Sequence, residues 1–191
     1  IIVVLALLAG SLWSMYFSTV LLTKRVKVVG TDELTPAQVS FAAQVPLGVP
    51  LVRQDLDAIG ARTTTLRAIE AATVTRDWPS TITVAVVERR PVLAVGQPEG
   101  YVLVDKFGVA YQTQQVLPPE VLLAVVNPGD VPLLSEMATV AAALPNKLRR
   151  TVDRMTASNR DSITLVLESG RTFTWGSSMD SELKGQVATA L

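Results

Sequence analysis

Residues 69–76 read IEAATVTR and residues 81–89 read TITVAVVER, with Asp77, Trp78, Pro79 and Ser80 between them. In the second run Ile82, Val84 and Val86 alternate with Thr81, Thr83 and Ala85, the period of a strand with one buried face. Asp-Trp-Pro-Ser has the composition of a turn, so two joined strands are expected here. Upstream, residues 26–29 form another short strand that ends at Gly30. Thr35, Pro36, Ala37 and Gln38 then spell a helix start: a threonine to cap, a proline in the first turn and a glutamine that reaches back three positions. Val39, Ala42 and Ala43 supply its expected buried stripe. Residues 45–52 carry Pro46, Gly48 and Pro50 and cannot continue a helix. Asp55 is placed to cap a second short helix, with Leu56 and Ile59 inward and Gly60 loosening its end. The order is strand, helix, helix, strand, strand.

At the start of the chain, IIVVLALLAGSLWSMYFSTVLL (residues 1–22) carries no charge, and none appears before Lys24. At about 1.5 Å per residue such a run crosses a hydrocarbon core of about 30 Å. A transmembrane helix is expected over residues 1–23, with Trp13 and Tyr16 in its second half, where aromatic rings can approach the headgroup layer. A secretory signal peptide would have a shorter apolar region and a small-residue cleavage site, and no A-x-A pattern follows this run. Lys24, Arg25 and Lys27 come next, and by the positive-inside tendency alone they put that side in the cytoplasm. The chain opens on Ile1 instead of methionine, so a preceding segment is expected whose charges bear on orientation. Local charge leaves both topologies open.

The second half is punctuated differently. Residues 101–105 and 109–112 flank Asp105, Lys106, Phe107 and Gly108, a turn-rich hairpin tip. Pro118-Pro119 and Asn127-Pro128-Gly129-Asp130 mark loops. Ser135 is expected to cap a helix in which Met137, Ala141, Leu144 and Leu148 share a face, with Pro145 ending its regular part. Residues 163–168 and 171–175 form a second hairpin about Ser169 and Gly170. Ser178, with Asp180 and Glu182, opens a last helix where Leu183, Val187 and Leu191 align at four-residue spacing.

This succession resembles the FtsQ/DivIB family of bacterial division proteins. VKVVGTDELTPAQV (26–39) is similar to the family's opening strand, glycine and helix, and GVPLVRQDLDAI (48–59) to the loop that leads into its second helix. ATVTRDWPSTITVAVVERRPVLAV (72–95) resembles its closing strands, with an Arg-x-Trp-Pro turn and a Glu-Arg-x-Pro exit. The similarity continues through YVLVDKFGVAY (101–111) and SITLVLESGRTFTWG (162–176). The Gly-Val-Pro-Leu loop and high alanine content resemble the actinobacterial branch. The resemblance implies an α+β protein: the transmembrane helix, a POTRA domain (β-α-α-β-β) over residues 24–91, and a β-domain of mixed sheet backed by helices over residues 92–191. It also implies a further strand after the last helix. The far edge of residues 171–175 can pair with that strand, be capped by the last helix or stay open. The resemblance favours the first, with the partner adding beyond it, so an extension past Leu191 is expected to bind partners better.

Composition narrows the function. Lysine plus arginine equals aspartate plus glutamate at 17 each, so no bulk field draws the chain to nucleic acid. There is no cysteine and no histidine, which removes thiolate sites, a thiol nucleophile and the commonest general base near neutral pH. Glu88, Asp105 and Asp130 define no known carboxylate pair for glycoside hydrolysis. The single Ser-x-x-Lys, Ser181 to Lys184, lacks the companion motifs of penicillin-recognising enzymes. No catalytic residue, metal, cofactor or small-molecule substrate is therefore expected.

Partner contact is expected at two places. Arg89 and Arg90 form a basic pair at a domain junction, read either as a solvated hinge or as a contact. Arg171, Thr172, Phe173, Thr174 and Trp175 form the last strand in the sequence, and its far edge is a candidate for strand addition. Trp78 is expected to pack under its own turn. The resemblance implies FtsB/DivIC-like and FtsL-like bitopic partners and, through them, septal peptidoglycan synthases of the FtsW/FtsI kind. It places the protein in the bacterial cell membrane at the septum, its C-terminal part extracytoplasmic. Two other classes stay open: a POTRA-bearing transport component, which should carry a membrane β-barrel, and a membrane-anchored cell-wall enzyme.

Overall fold

The computed structural model describes residues 21–190 together with Val4 and Gly10. The transmembrane helix expected over residues 1–23 lies outside these apart from those two positions and its last three residues. Among the described residues no helix is long and apolar enough to cross a membrane. The described chain forms two compact units that part between Glu88 and Arg89.

The first unit has the expected element order. Strand β1 (Arg25–Val29) leads to helix α1 (Pro36–Ala43), a 3-10 turn (Leu51–Arg53), helix α2 (Leu56–Thr63) and strands β2 (Ile69–Asp77) and β3 (Thr81–Glu88). The sheet runs β1-β3-β2, with β1 parallel and β2 antiparallel to β3. Helix α1 starts on both halves of the predicted capping box: the Gln38 amide donates to Thr35 Oγ1 at 3.3 Å, and the Thr35 amide donates to Gln38 Oε1 at 2.8 Å. Asp55 caps α2 by accepting the Ala58 amide at 3.0 Å. Val39, Ala43, Leu51, Ile59 and Ile69 pack on the inward Ile82, Val84 and Val86, whereas Ala42 is only half-buried. Each such aliphatic side chain contributes about 1.5–3 kcal/mol on full burial. Arg76 spans this core's rim, donating from Nε to the Leu51 carbonyl and from Nη2 to the Gln54 carbonyl, both at 2.7 Å. Trp78 departs from expectation. Its side chain stays 46% exposed and does not pack under the turn.

The second unit is built on one mixed sheet. Its strands are β4 (Pro91–Gln97), β5 (Gly100–Asp105), β6 (Ala110–Gln114), β7 (Leu122–Val125), β8 (Val152–Ala157), β9 (Ile163–Leu167) and β10 (Thr172–Gly176), in the order β10-β9-β8-β7-β4-β5-β6. The central pairs β4–β7 and β7–β8 are parallel and the rest antiparallel. Helices α3 (Val131–Ala143), α4 (Asn146–Arg149) and α5 (Ser181–Ala190) accompany the sheet. Leu133, Leu134, Met137, Ala138 and Ala141 of α3 join Leu93, Val104, Met155 and Leu165 in the core.

Two helix expectations need correction. Helix α3 begins at Val131 and not after Ser135: Asp130 accepts the Leu133 amide at 3.1 Å, and Pro132 sits in the first turn. Ser135 instead donates its hydroxyl to the Phe107 carbonyl at 3.2 Å, tying the helix to the β5–β6 tip. Leu148 lies in the separate helix α4, so it does not continue the stripe of Met137 and Ala141. On α5, Leu183 and Val187 are exposed, while Ser181 and Gly185 are buried. Small residues allow the close helix approach here and turn the larger ones away from it.

Candidate functional site

Strand β10 stands at one end of the seven-stranded sheet and pairs only with β9 among the described residues. Within the hairpin the Leu167 amide donates to the Arg171 carbonyl at 2.8 Å, which makes 167/171 a hydrogen-bonded pair. Antiparallel alternation then gives 165/173 the next such pair, so the main-chain groups of Thr172 and Thr174 point away from β9. Among the described residues no strand pairs with this edge. Arg171, Thr172 and Thr174 are exposed around it, Phe173 is half-buried and Trp175 is buried.

The side chains beside this edge are apolar. Trp175 Nε1 donates to Ser181 Oγ at 3.1 Å, which locks β10 to the first turn of α5. Its ring centroid lies 6.1 Å from that of Phe173. Lys184 donates to the Ser177 carbonyl at 2.9 Å, so it holds the β10–α5 connection. Between strand and helix is a cavity of about 300 Å³ lined by Phe173, Trp175, Leu183, Val187 and Ala188 among others. Leu183 and Val187 were legible in the sequence only as an aligned pair. The Ser181–Gly185 spacing was the signal that another face packs.

Arg89 and Arg90 separate sharply. Arg89 donates from Nη1 to Asp105 Oδ2, with the two side chains 17% and 1% exposed, so the solvated-hinge alternative does not hold for it. Asp105 also accepts the amides of Phe107 and Val109 through Oδ1, each at 2.9 Å. A residue read as an ordinary turn carboxylate is therefore a buried anchor of the hairpin tip. Arg90 is exposed.

Glu88 ends β3 by accepting three successive amides, from Asp32 at 2.9 Å, Glu33 at 2.8 Å and Leu34 at 3.0 Å. Burial alone raises its pKa, but these donors outweigh burial and hold it below the usual value of 4.5. A depressed carboxylate stabilises the fold above its unfolded pKa and loses that contribution as pH falls through the folded one. The expected result is a urea midpoint that falls more steeply below about pH 4.5 in the parent than in Glu88→Gln. Parallel profiles for the two proteins would remove the latch role.

Among the described residues no group of three or more acidic side chains forms a metal site. What the second unit presents is a strand edge beside an apolar cavity, on a domain that follows a β-α-α-β-β unit. Two family models match the two units in turn. The family model for the POTRA domain, FtsQ-type, matches residues 21–89, and that for Cell division protein FtsQ/DivIB, C-terminal, matches residues 94–191. The chain belongs to the FtsQ/DivIB family.

Cell division protein FtsQ of Streptomyces venezuelae is 39% identical over 198 residues, covering 98% of this chain and 73% of that protein. FtsQ of Streptomyces coelicolor is 38% identical over 204 residues, covering 99% and 77%. FtsQ of Mycolicibacterium smegmatis is 35% identical over 189 residues, covering 98% and 56%. These FtsQ relatives are actinobacterial, as the Gly-Val-Pro-Leu loop suggested. Among solved structures, the major extracytoplasmic domain of DivIB from Geobacillus stearothermophilus aligns with a TM-score of 0.44 and 16% identity, over 54% of this chain and 90% of that one.

Proposed function

We propose that the chain is a non-enzymatic scaffold of the division machinery, held in the bacterial cell membrane by one helix over residues 1–23. Its remaining residues lie outside the cytoplasm at the septum. There it binds FtsB/DivIC-like and FtsL-like partners and through them links to septal peptidoglycan synthases of the FtsW/FtsI kind. Family membership supports the place in division. The single observation that supports the mode of binding is the outer edge of β10, beside the apolar cavity and unpaired by any strand among the described residues. A further strand of the β-domain laid along Thr172 and Thr174 gains main-chain hydrogen bonds and extends the sheet. The partner adds its own strand beyond it, with alternate side chains giving selectivity. Arg171 and Arg90 add exposed charge, which steers approach more than it holds the complex. Arg89, engaged by Asp105, contributes by shaping its own unit.

Thr174→Pro tests this. It removes an outward-facing amide while sparing the β9 ladder, so in a chain extended past Leu191 binding of the soluble segment of an FtsB/DivIC-like partner should weaken at least about tenfold, or about 1.4 kcal/mol. Arg90→Ala should change affinity much less, as isolated surface charges do. Calorimetric titration measures both. Equal affinity for the parent and Thr174→Pro moves the site off β10.

A further inference from the structure

The first unit meets the apolar run at a fixed place. The Thr23 amide donates to the Val49 carbonyl at 2.8 Å, and the Gly48 amide donates back to the Thr23 carbonyl at 2.9 Å. Leu22 bridges Pro50. Gln54 Nε2 binds both Thr23 Oγ1 at 2.9 Å and the Pro46 carbonyl at 2.6 Å. On the other side, the amides of Lys24 and Arg25 donate to the Ser80 carbonyl at 2.8 and 3.2 Å. Two connections are thus pinned to residues 22–25, the loop around Leu47 and the turn around Trp78.

Each of them exposes one large apolar side chain. Leu47 is 62% exposed and Trp78 46% exposed, and the side chains of Lys24 and Arg25 are exposed between them. Nothing in the fold requires either apolar group at the surface. Leu47 neighbours a residue hydrogen-bonded to Thr23, the last position before the first charge. With consecutive Cα atoms about 3.8 Å apart, it lies within roughly one headgroup layer of the end of that run. Tryptophan favours that layer, and aliphatic groups of interfacial segments enter it by about 5–10 Å. Lysine and arginine complement lipid phosphates.

We propose that Leu47 and Trp78 are paired wedges by which the first unit seats on the anionic phospholipid surface that its own apolar run enters, with Lys24 and Arg25 on the headgroup phosphates. This rests on the membrane anchor proposed above. It makes that end of the POTRA domain a lipid-binding face and gives the cations after the run a role besides orientation.

The absence of cysteine allows one label per molecule. The full 191-residue chain carrying Leu47→Cys, Trp78→Cys or Val87→Cys is labelled with an environment-sensitive fluorophore. It is reconstituted in phosphatidylglycerol–phosphatidylethanolamine vesicles containing headgroup-quencher lipids. Val87 is the control: it is 55% exposed, and it lies six residues along β3 from Thr81, about 20 Å at strand rise. Quenching at positions 47 and 78 should exceed that at 87 by about threefold or more. The excess should fall by about half in phosphatidylcholine vesicles or with Lys24→Glu/Arg25→Glu. Circular dichroism confirms folding, and position 47, in an open loop, carries the test if Trp78→Cys misfolds. Equal quenching at all positions in vesicles that retain the chain through alkaline carbonate overturns the wedges. An excess unchanged by charge overturns the anionic surface. Chain released by carbonate overturns the anchor, and the wedges with it.

Discussion

Asp105→Ala is expected to destabilise the second unit by about 3–5 kcal/mol, the range for removing one partner of a buried ion pair. The carboxylate is fully buried and serves three donors: Arg89 and the amides of Phe107 and Val109. Alanine takes the carboxylate partner from a mostly buried guanidinium, and the hairpin tip loses the oxygen that accepts both amides. The tip also carries Gly108, at φ +80°, where an added Cβ would stand 2.5 Å from the Ser135 Cα, so the anchor positions a close approach to α3. Asp105→Asn keeps an acceptor oxygen and should lose less. Urea unfolding followed by near-ultraviolet dichroism of Trp175 measures both variants. A loss below about 1 kcal/mol for the alanine variant would show that the pair offsets its own desolvation and contributes little.

Gly30→Ala is expected to unfold the first unit, with a loss of about 3 kcal/mol or more. Its φ of +86° costs an L-residue about 1–2 kcal/mol, and the new Cβ would lie 2.1 Å from the Val86 carbonyl oxygen. That oxygen belongs to the central strand and cannot move without parting β3 from its neighbours. The Glu88 latch two residues on would shift with it. Hydrogen exchange by mass spectrometry reads the units separately: amides of residues 69–88 should lose protection in the variant. Native protection there would show that the backbone absorbs the Cβ by rotation.

What the sequence made legible was local. The capping box at Thr35 and Gln38 and the alternation of residues 81–86 each need only a few neighbouring residues, and the structure has both. The α3 start was hidden because Asn127-Pro128-Gly129-Asp130 reads as a loop up to its last residue, and that residue is the cap. Strands β7 and β8 pair in parallel across the intervening α3 and α4, so no turn announces that they are partners. Burial of Asp105 depends on an arginine 16 positions earlier, which spacing does not disclose. The candidate edge at 171–175 could be named from order alone. The outward direction of its amides, and the exposure of Leu183 and Val187, follow from register and from the small-residue packing of α5.

The parallel pairing of β1 with β3 bears on how the first unit carries mechanical load. Tension enters at the start of β1, beside the apolar run, and leaves at the end of β3, where the chain passes on to Arg89. Because the two strands point the same way, pulling on those ends slides one along the other. The five registered positions from Arg25–Thr81 to Val29–Ala85 are then loaded together. A hairpin gripped at its open end would instead unzip one rung at a time. Shear of this kind makes the unit a stiff coupling between its two ends.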